Sequence, residues 1–100
     1  MSESPLLSAV GICRKAGKLA PGFDACCTAV GKGAPLVIVA CDAAPRTLRN
    51  ITEKCGTATR ILRTDCTREQ FASVLGKHMA VAAVTDSNFA RLIEQAAGKQ

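Results

Sequence analysis

Apolar and polar positions along the chain follow two periods, one typical of helices and one typical of buried strands. The first apolar stripe at helical spacing is formed by Leu6, Ala9, Val10 and Cys13. Ser4-Pro5 is a suitable start for this helix and Gly17 a suitable end. The segment 36–41 is instead an uninterrupted apolar run, the pattern of a central strand covered on both faces. Alternation of the two patterns predicts an α/β layer structure.

Four further helices are predicted after the first. The second starts near Gly22, and its expected buried stripe is Phe23, Cys26, Cys27 and Val30. The third follows the turn 42–45, and its expected stripe is Leu48, Ile51, Thr52 and Cys55. The last carries the stripe Phe89, Leu92, Ile93 and Ala96.

Local capping patterns mark the start of the two C-terminal helices. Thr67 and Gln70 form a capping box, and Cys66 with Phe71 forms a hydrophobic staple, so a helix is expected from there to Gly76. Asp86 is placed to cap the last helix. Short strands are expected at 18–19, 60–63 and 80–84, which gives five helices around a small sheet.

The composition fits one domain spanning residues 1–100. A chain of 100 residues with 48% apolar side chains can bury a core without disulfides. The N-terminus lacks the basic and apolar regions of a secretory signal, and no apolar run approaches the length of a membrane span. We therefore expect a cytoplasmic protein with no membrane partner.

The six cysteines lie mostly within apolar stretches. No C-x-x-C pair occurs and His78 is the only histidine, so we expect reduced cysteines that fill the core and no metal site. A redox role for Cys41 or Cys66 stays open as a weaker alternative.

Residues suited to catalysis are scarce. His78 next to Lys77 fits a solvated turn better than a general base, and Asp42 fits a turn residue better than a catalytic acid. Gly31-Lys32-Gly33 lacks the spacing of a phosphate loop. We therefore predict no enzymatic activity and no cofactor.

The excess of basic residues is concentrated in two stretches. The formal net charge is +5, with four cations at 11–32 and six at 46–68. Such clusters are typical of phosphate-binding surfaces and also of ordinary solvated faces, so charge alone leaves both open. The three phenylalanines all fall on predicted core stripes, which argues against a platform that stacks single-stranded bases.

Several motifs, taken in order, resemble a known superfamily. The matching segments are Arg14-Lys15-Ala16-Gly17-Lys18-Leu19, Gly22, residues 33–40 with Asp42 and Pro45, Leu75-Gly76-Lys77, and residues 81–90. They resemble the archaeal and eukaryotic ribosomal proteins that bind RNA kink-turns, and more closely their short bacterial relatives of the YlxQ type. The resemblance covers roughly residues 6 to 95.

The resemblance implies a three-layer α/β/α sandwich with a mixed sheet of about four strands. It also implies one RNA-facing edge, built from the start of the second helix, the turn after the central strand and the loop before the fourth helix. Together with the basic residues, the predicted RNA-binding positions are Arg14, Lys15, Lys18, Gly22, Asp24, Thr28, Lys32, Asp42, Arg46, Arg63, Thr64, Asp65, Thr67 and Arg68.

The chain departs from the family's Gly-x-Asn-Glu-x-x-Lys stretch at three of four positions. Asp24 can only accept hydrogen bonds, Ala25 cannot accept a guanine N–H, and Thr28 removes a cation. We expect a monomer that binds structured RNA, ribosomal or otherwise, and not DNA. The alternative is a protein-interaction module of the same fold that has lost kink-turn binding.

Overall fold

The structure is a computed structural model that describes residues 5–76 and 78–98. The elements in this part of the chain are α1 (Pro5–Lys15), β1 (Leu19–Pro21), α2 (Phe23–Gly31), β2 (Leu36–Val39), α3 (Pro45–Cys55), β3 (Arg60–Arg63), α4 (Arg68–Leu75), β4 (Val81–Val84) and α5 (Ser87–Gly98). The predicted helix start at Ser4 and the motif residue Lys77 lie outside the described residues. No helix in the described ranges has the length and apolar character needed to cross a membrane.

The sheet is mixed, with strand order β1-β4-β2-β3. The last strand in the chain, β4, lies in the middle and pairs antiparallel with both β1 and β2. The β2–β3 pair is parallel. All residues of β2 and β4 are buried, as expected for strands covered on both faces, whereas β1 and β3 form the edges.

Two hydrophobic cores lie on opposite faces of the sheet. Alternate residues of the central strands point to opposite faces, so Leu36 and Ile38 join one core while Val37 and Val39 join the other. The first core is closed by α1, α4 and α5, and the second by α2 and α3. This arrangement confirms the predicted three-layer α/β/α sandwich with a four-stranded mixed sheet.

The caps predicted for the starts of α4 and α5 are confirmed. The Thr67 hydroxyl accepts the Gln70 backbone N–H at 3.1 Å, and the Gln70 side chain accepts the Thr67 N–H at 2.8 Å. Cys66 and Phe71 are both buried in the first core, and Asp86 accepts the N–H groups of the first turn of α5.

Some predicted stripe positions are wrong because the buried faces are narrower than the apolar pattern suggests. In α2 only Cys26 and Ala29 are buried, so Cys27 is half-buried and Phe23 is 39% exposed. On α5 the face turned to the core is Ala90, Ile93 and Ala96, which leaves Leu92 42% exposed. The third predicted stripe includes Thr52, which is exposed and donates its hydroxyl hydrogen to the Leu48 carbonyl at 2.7 Å.

Candidate functional site

The sheet register brings several connecting segments to one end of the sheet. Pro21 is opposite Ala82, and Val39 is opposite both Val81 and Arg63. One end of the sheet therefore holds the C-terminal ends of β1, β2 and β3 together with the start of β4. We call this surface the loop end and define it as residues 22–24, 41–46 and 63–69.

Backbone hydrogen bonds tie the loop end to β4 and to its own segments. The Gly22 N–H donates to the Val81 carbonyl at 2.9 Å, and the Ala40 N–H donates to the Ala80 carbonyl at 2.8 Å. The Cys41 N–H donates to the Cys66 carbonyl at 2.8 Å. The turn after β2 and the loop before α4 are thus held together through their main chains.

Asp42 links the same two segments through its side chain. Its Oδ1 accepts the Arg68 N–H at 2.9 Å, and its Oδ2 lies 3.7 Å from Arg68 Nε. The carboxylate therefore satisfies a donor in the first turn of α4 and neutralises a neighbouring guanidinium. Both side chains remain about half exposed, at 43% and 52% respectively.

Two of the predicted site hydroxyls have roles within the loop itself. Thr64 is 6% exposed and donates its hydroxyl hydrogen to the Val39 carbonyl at 2.9 Å. Thr67 caps α4 through the capping box. Of the predicted contacts in this loop, Arg63, Asp65 and Arg68 are the exposed ones.

The start of α2 lacks a side-chain cap. Gly22 has φ 96° and ψ 158°, a conformation that favours glycine, and no side chain caps the helix there. Nothing lies within 4 Å of a Cβ built on Gly22, so the glycine is needed for its backbone angle and not for close packing. Phe23 and Asp24 follow, both exposed.

Four predicted site residues lie at the opposite end of the sheet. Leu19, at the start of β1, pairs with Val84, and the Thr85 N–H donates to the Lys18 carbonyl at 2.9 Å. Lys32 is the C-cap residue of α2, about 15 Å along the helix axis from Gly22. We call this surface the basic end, defined by Arg14, Lys15, Lys18 and Lys32.

The two ends carry different charge distributions. The loop end mixes the arginines Arg46, Arg63 and Arg68 with the acids Asp24, Asp42, Asp65 and Glu69. The basic end holds four exposed cations, and neither ion pair found in the described ranges involves them. Asp86 is an acid near the basic end, since it follows Thr85, whose N–H donates to the Lys18 carbonyl. Its carboxylate accepts two backbone N–H groups of α5.

A groove of about 490 Å³ lies between α2 and β1. It is lined by Ala20, Ala25, Thr28, Ala29, Lys32, Gly33, Ala34 and Thr85. Thr28 and Lys32, both predicted site residues, thus share one wall. A second cavity of about 450 Å³ lies beside β3, where Arg60 pairs with Glu94 at 3.1 Å.

All six cysteines are free, and their environments differ between the two ends. Cys13 donates to the Lys18 carbonyl at 3.2 Å, and burial, with a smaller effect of Asp86, raises its pKa to about 11. Burial likewise raises the pKa of Cys26 to about 12, with Cys55 and Cys27 adding to the effect. Cys41 at the loop end is exposed. No group of three or more His, Cys, Asp or Glu side chains within the described ranges is arranged to hold a metal ion.

Sequence reasoning missed two features of the site. The exposed ring of Phe23 was predicted to be core, although its position in the first turn beside Gly22 places it next to the edge of the sheet. The Asp42–Arg68 link joins positions 26 residues apart and has no local sequence signal.

Comparison with known proteins identifies the same fold elsewhere. No protein-family model and no curated protein sequence matches this chain. A Bacillus halodurans protein of unknown function superposes with a TM-score of 0.86 at 27% identity, over 96% of this chain and 99% of that one. The 15.5kD RNA-binding protein of Giardia lamblia superposes with a TM-score of 0.76 at 18% identity, over 99% of this chain and 89% of that one. The α/β sandwich with five helices and a four-stranded sheet is thus shared with these structures.

Proposed function

We propose that this protein is a non-enzymatic RNA-binding protein that docks on structured, kink-turn-like RNA. The observation that carries the proposal is the convergence at the loop end of an open helix start at Gly22 with Arg46, Arg63 and Arg68. Helix N-terminal N–H groups and arginines are common phosphate contacts. The Giardia protein with this fold is an RNA-binding protein, which supports RNA binding in general.

The scarcity of exposed rings favours folded RNA over single strands. Phe71 is fully buried, Phe89 is half-buried, and Phe23 alone among the phenylalanines is exposed. Non-specific binding of single strands uses several rings on which successive bases stack. A surface with one ring and several cations is better suited to the shape and phosphates of a folded RNA.

The proposal extends to a protein of the YlxQ type that acts as a monomer in the cytoplasm. Its partner would be ribosomal RNA or another ribonucleoprotein RNA. Crosslinking in cells followed by sequencing of the bound RNA tests this extension, and recovery of no specific RNA would contradict it.

Direct titration tests RNA binding itself. We expect a fluorescent RNA with one kink-turn to bind more tightly than a straight duplex of equal length, with an affinity that falls as salt rises. Absence of binding to either RNA at low salt would overturn the proposal. Equal affinity for both would leave RNA binding in place and refute the preference for kinked RNA.

Kink-turn selectivity is tested at positions 24, 25 and 28, where this chain differs from the Gly-x-Asn-Glu-x-x-Lys stretch of the kink-turn-binding proteins. The triple variant Asp24→Asn, Ala25→Glu and Thr28→Lys replaces one acceptor-only group and adds an acceptor and a cation on the same face of α2. We expect it to bind the kink-turn at least about tenfold more tightly, since a well-placed bidentate contact contributes about 1–3 kcal/mol. Unchanged affinity would exclude this part of α2 from RNA recognition.

A second candidate function is a protein-interaction module. It is favoured by the uncharged side chains of Ala25 and Thr28, which line a groove of mostly small residues. Capture of partners from lysate with and without nuclease separates the two. A partner retained after RNA digestion would support the protein-interaction function, and loss of all partners would support RNA binding.

A further inference from the structure

The two edges of the sheet differ in their ability to accept another strand. An edge strand carries a row of main-chain N–H and C=O groups that face no neighbour. The strand β1 has three residues and ends in Pro21, which has no N–H to donate. The strand β3 has four residues and no proline, and no strand of the described ranges lies beyond it. The β3 edge is therefore the one suited to pairing with a further strand.

The hydrogen bonding of β3 shows which of its main-chain groups face outward. The Thr64 N–H donates to the last carbonyl of β2 at 3.0 Å. In a parallel pair, alternate residues direct both main-chain groups towards the neighbouring strand, so Arg60 and Leu62 also face β2. Ile61 and Arg63 then direct their N–H and C=O groups away from β2. Two residues thus offer the two donors and two acceptors of an open ladder.

The side chains in the middle of β3 leave apolar surface at this edge. Ile61 and Leu62 are half-buried, Ile61 against the second core and Leu62 against the first. On the Leu62 side, the cavity of about 450 Å³ is also lined by Leu6 and Ala97. A strand added to β3 has side chains on both faces, so one apolar side chain would enter this cavity and the next would cover Ile61.

Arginines flank the two apolar residues of β3. Arg60 and Arg63 are both exposed. Arg60 Nε lies 3.1 Å from Glu94 Oε2, yet 75% of the Arg60 side chain stays exposed. A guanidinium has five N–H donors, so binding of one carboxylate leaves donors for a second. Opposite charges that face each other across two strands stabilise the pair, which favours an incoming strand with an acidic residue at each end.

We propose that the β3 edge is a docking site for an extended protein segment with the pattern acidic–apolar–apolar–acidic, which binds as a fifth strand of the sheet. This pattern reads the same in both directions, so parallel and antiparallel addition satisfy it equally. Main-chain hydrogen bonds supply the affinity and the flanking charges supply the selectivity. The inference goes beyond RNA binding, because RNA has no peptide main chain that could extend a sheet.

A second copy of this chain is the competing occupant and fits less well. Antiparallel pairing of two β3 strands in full overlap would place each Arg60 opposite an Arg63. Like charges directly opposite each other destabilise a strand pair, so the edge is protected against its own copies. An acidic segment converts the same repulsion into attraction.

Peptide titration tests the docking site directly. The probe is a fluorescent peptide with the core Glu-Val-Val-Glu flanked by two threonines on each side. We expect it to bind at least about tenfold more tightly than the same peptide with Lys-Val-Val-Lys, because both cross-strand charge pairs become repulsive. Methylation of both valine nitrogens should abolish binding, since it removes main-chain donors. Absence of saturable binding at millimolar peptide, or equal affinity for the three peptides, would overturn the inference.

A proline substitution tests the main-chain pairing from the side of the protein. Ile61→Pro removes an outward N–H and no hydrogen bond between β2 and β3, the position at which an edge strand tolerates proline. The matched control, Ile61→Ala, also shortens the side chain but keeps the N–H. We expect the acidic peptide to bind Ile61→Pro at least about tenfold more weakly than Ile61→Ala, the loss of a ladder hydrogen bond and its alignment. Equal affinity for the two variants would contradict strand addition.

A charge reversal tests selectivity without altering the main chain. Arg60→Glu places a carboxylate at one end of β3, and Arg91→Glu makes the same change at an exposed position of α5. We expect Arg60→Glu to lose the preference for the acidic over the lysine peptide, and Arg91→Glu to keep it. An unchanged preference in Arg60→Glu would overturn the assignment of the acidic partner to this edge.

The outcomes separate this inference from the proposed function. We expect Ile61→Pro to keep the wild-type affinity for a kink-turn RNA, since Ile61 is not among the proposed RNA contacts. Binding of RNA without binding of peptide would overturn the inference and leave the proposed function standing, and the reverse result would do the opposite. A dimer of the free protein that Ile61→Pro dissociates would overturn the inference in favour of a second copy at this edge.

Discussion

The two ends of the sheet differ in how far their polar groups are used by the protein itself. At the loop end, Asp42 binds Arg68, Thr64 binds the main chain of β2, and Thr67 caps α4. At the basic end, the cationic side chains of Lys18 and Lys32 extend from segments whose main chains are already bonded. The polar groups of the loop end are thus largely bonded within the protein and nearly balanced in charge, whereas the cations of the basic end are exposed and take no part in the described ion pairs.

The difference indicates that shape and charge are supplied by separate parts of the molecule. A prearranged main chain can select a folded ligand because it loses little conformational freedom on binding. Flexible exposed cations contribute attraction with little selectivity. Variants that perturb one end at a time therefore test this division.

The largest effect is expected from removing the support of the loop end. Phe71 is fully buried and carries α4 against the first core. We expect Phe71→Ala to lower the free energy of unfolding by about 3–5 kcal/mol, measured by urea denaturation. The matched control is Leu92→Ala, since Leu92 is 42% exposed and its truncation should cost well under half of that. Similar losses for the two variants would contradict the assignment of Phe71 to the core.

Charge reversal at each end measures whether the ends act independently in RNA binding. Lys15→Glu alters the basic end and Arg68→Glu the loop end. We expect the double variant to bind more weakly and with a salt slope shallower by about 2, since each reversal removes about 1. The changes in binding free energy of the two single variants should add, because the two residues lie at opposite ends of the sheet. Unchanged affinity and slope in the double variant would exclude both surfaces from RNA binding.

The capping box gives a smaller effect confined to the loop end. We expect Thr67→Ala to lower the free energy of unfolding by about 1 kcal/mol, because the Gln70 N–H loses the hydroxyl that accepts its hydrogen bond. Thr57→Ala, at an exposed turn residue, is the control. The salt slope of RNA binding should stay unchanged in both variants. A change of slope in Thr67→Ala would contradict a purely structural role for the cap, since the substitution removes no charge.

The smallest expected effect concerns the reactivity of two thiols, Cys13 in the core and Cys41 at the loop end. The pKa of Cys13 is raised to about 11 mainly by burial, whereas the pKa of a thiol in the unfolded chain is about 8.5. The neutral thiol therefore contributes its full stabilisation at pH values below the pKa of the unfolded thiol. That contribution is lost as the pH rises through the folded pKa of about 11. We expect iodoacetamide at pH 9 to modify exposed Cys41 first and Cys13 only after unfolding, and the urea midpoint to fall between pH 9 and 11. Equal labelling rates for the two native thiols would contradict this.

The features predicted from the sequence are those set by residues a few positions apart. The buried face of α1 and the capping box of α4 depend on spacings of three or four residues, and both are confirmed. The predicted fold class is confirmed as well, because the order of helical and strand patterns limits how layers can pack.

The remaining features depend on where distant segments meet. Whether Lys18 lies beside Arg68 or at the opposite end is decided by the antiparallel pairing of β1 with β4, which no local pattern reveals. Phe23 was misassigned because periodicity identifies the apolar face of a helix but not where the neighbouring sheet ends. The sequence alone therefore predicted the candidate residues but not their division between two ends.

The central position of β4 has a consequence for how the protein is made. Residues 81–84 join β1 to β2, and the neighbouring positions 80 and 85 hold the main chains of Ala40 and Lys18. A chain being translated can form α1 to α4 and pair β2 with β3, yet β1 has no partner strand until β4 is synthesised. Both ends of the sheet are therefore completed by the same short segment in the last quarter of the sequence. Until that segment is synthesised, the nascent chain has an unpaired edge of β2 that is open to other strands.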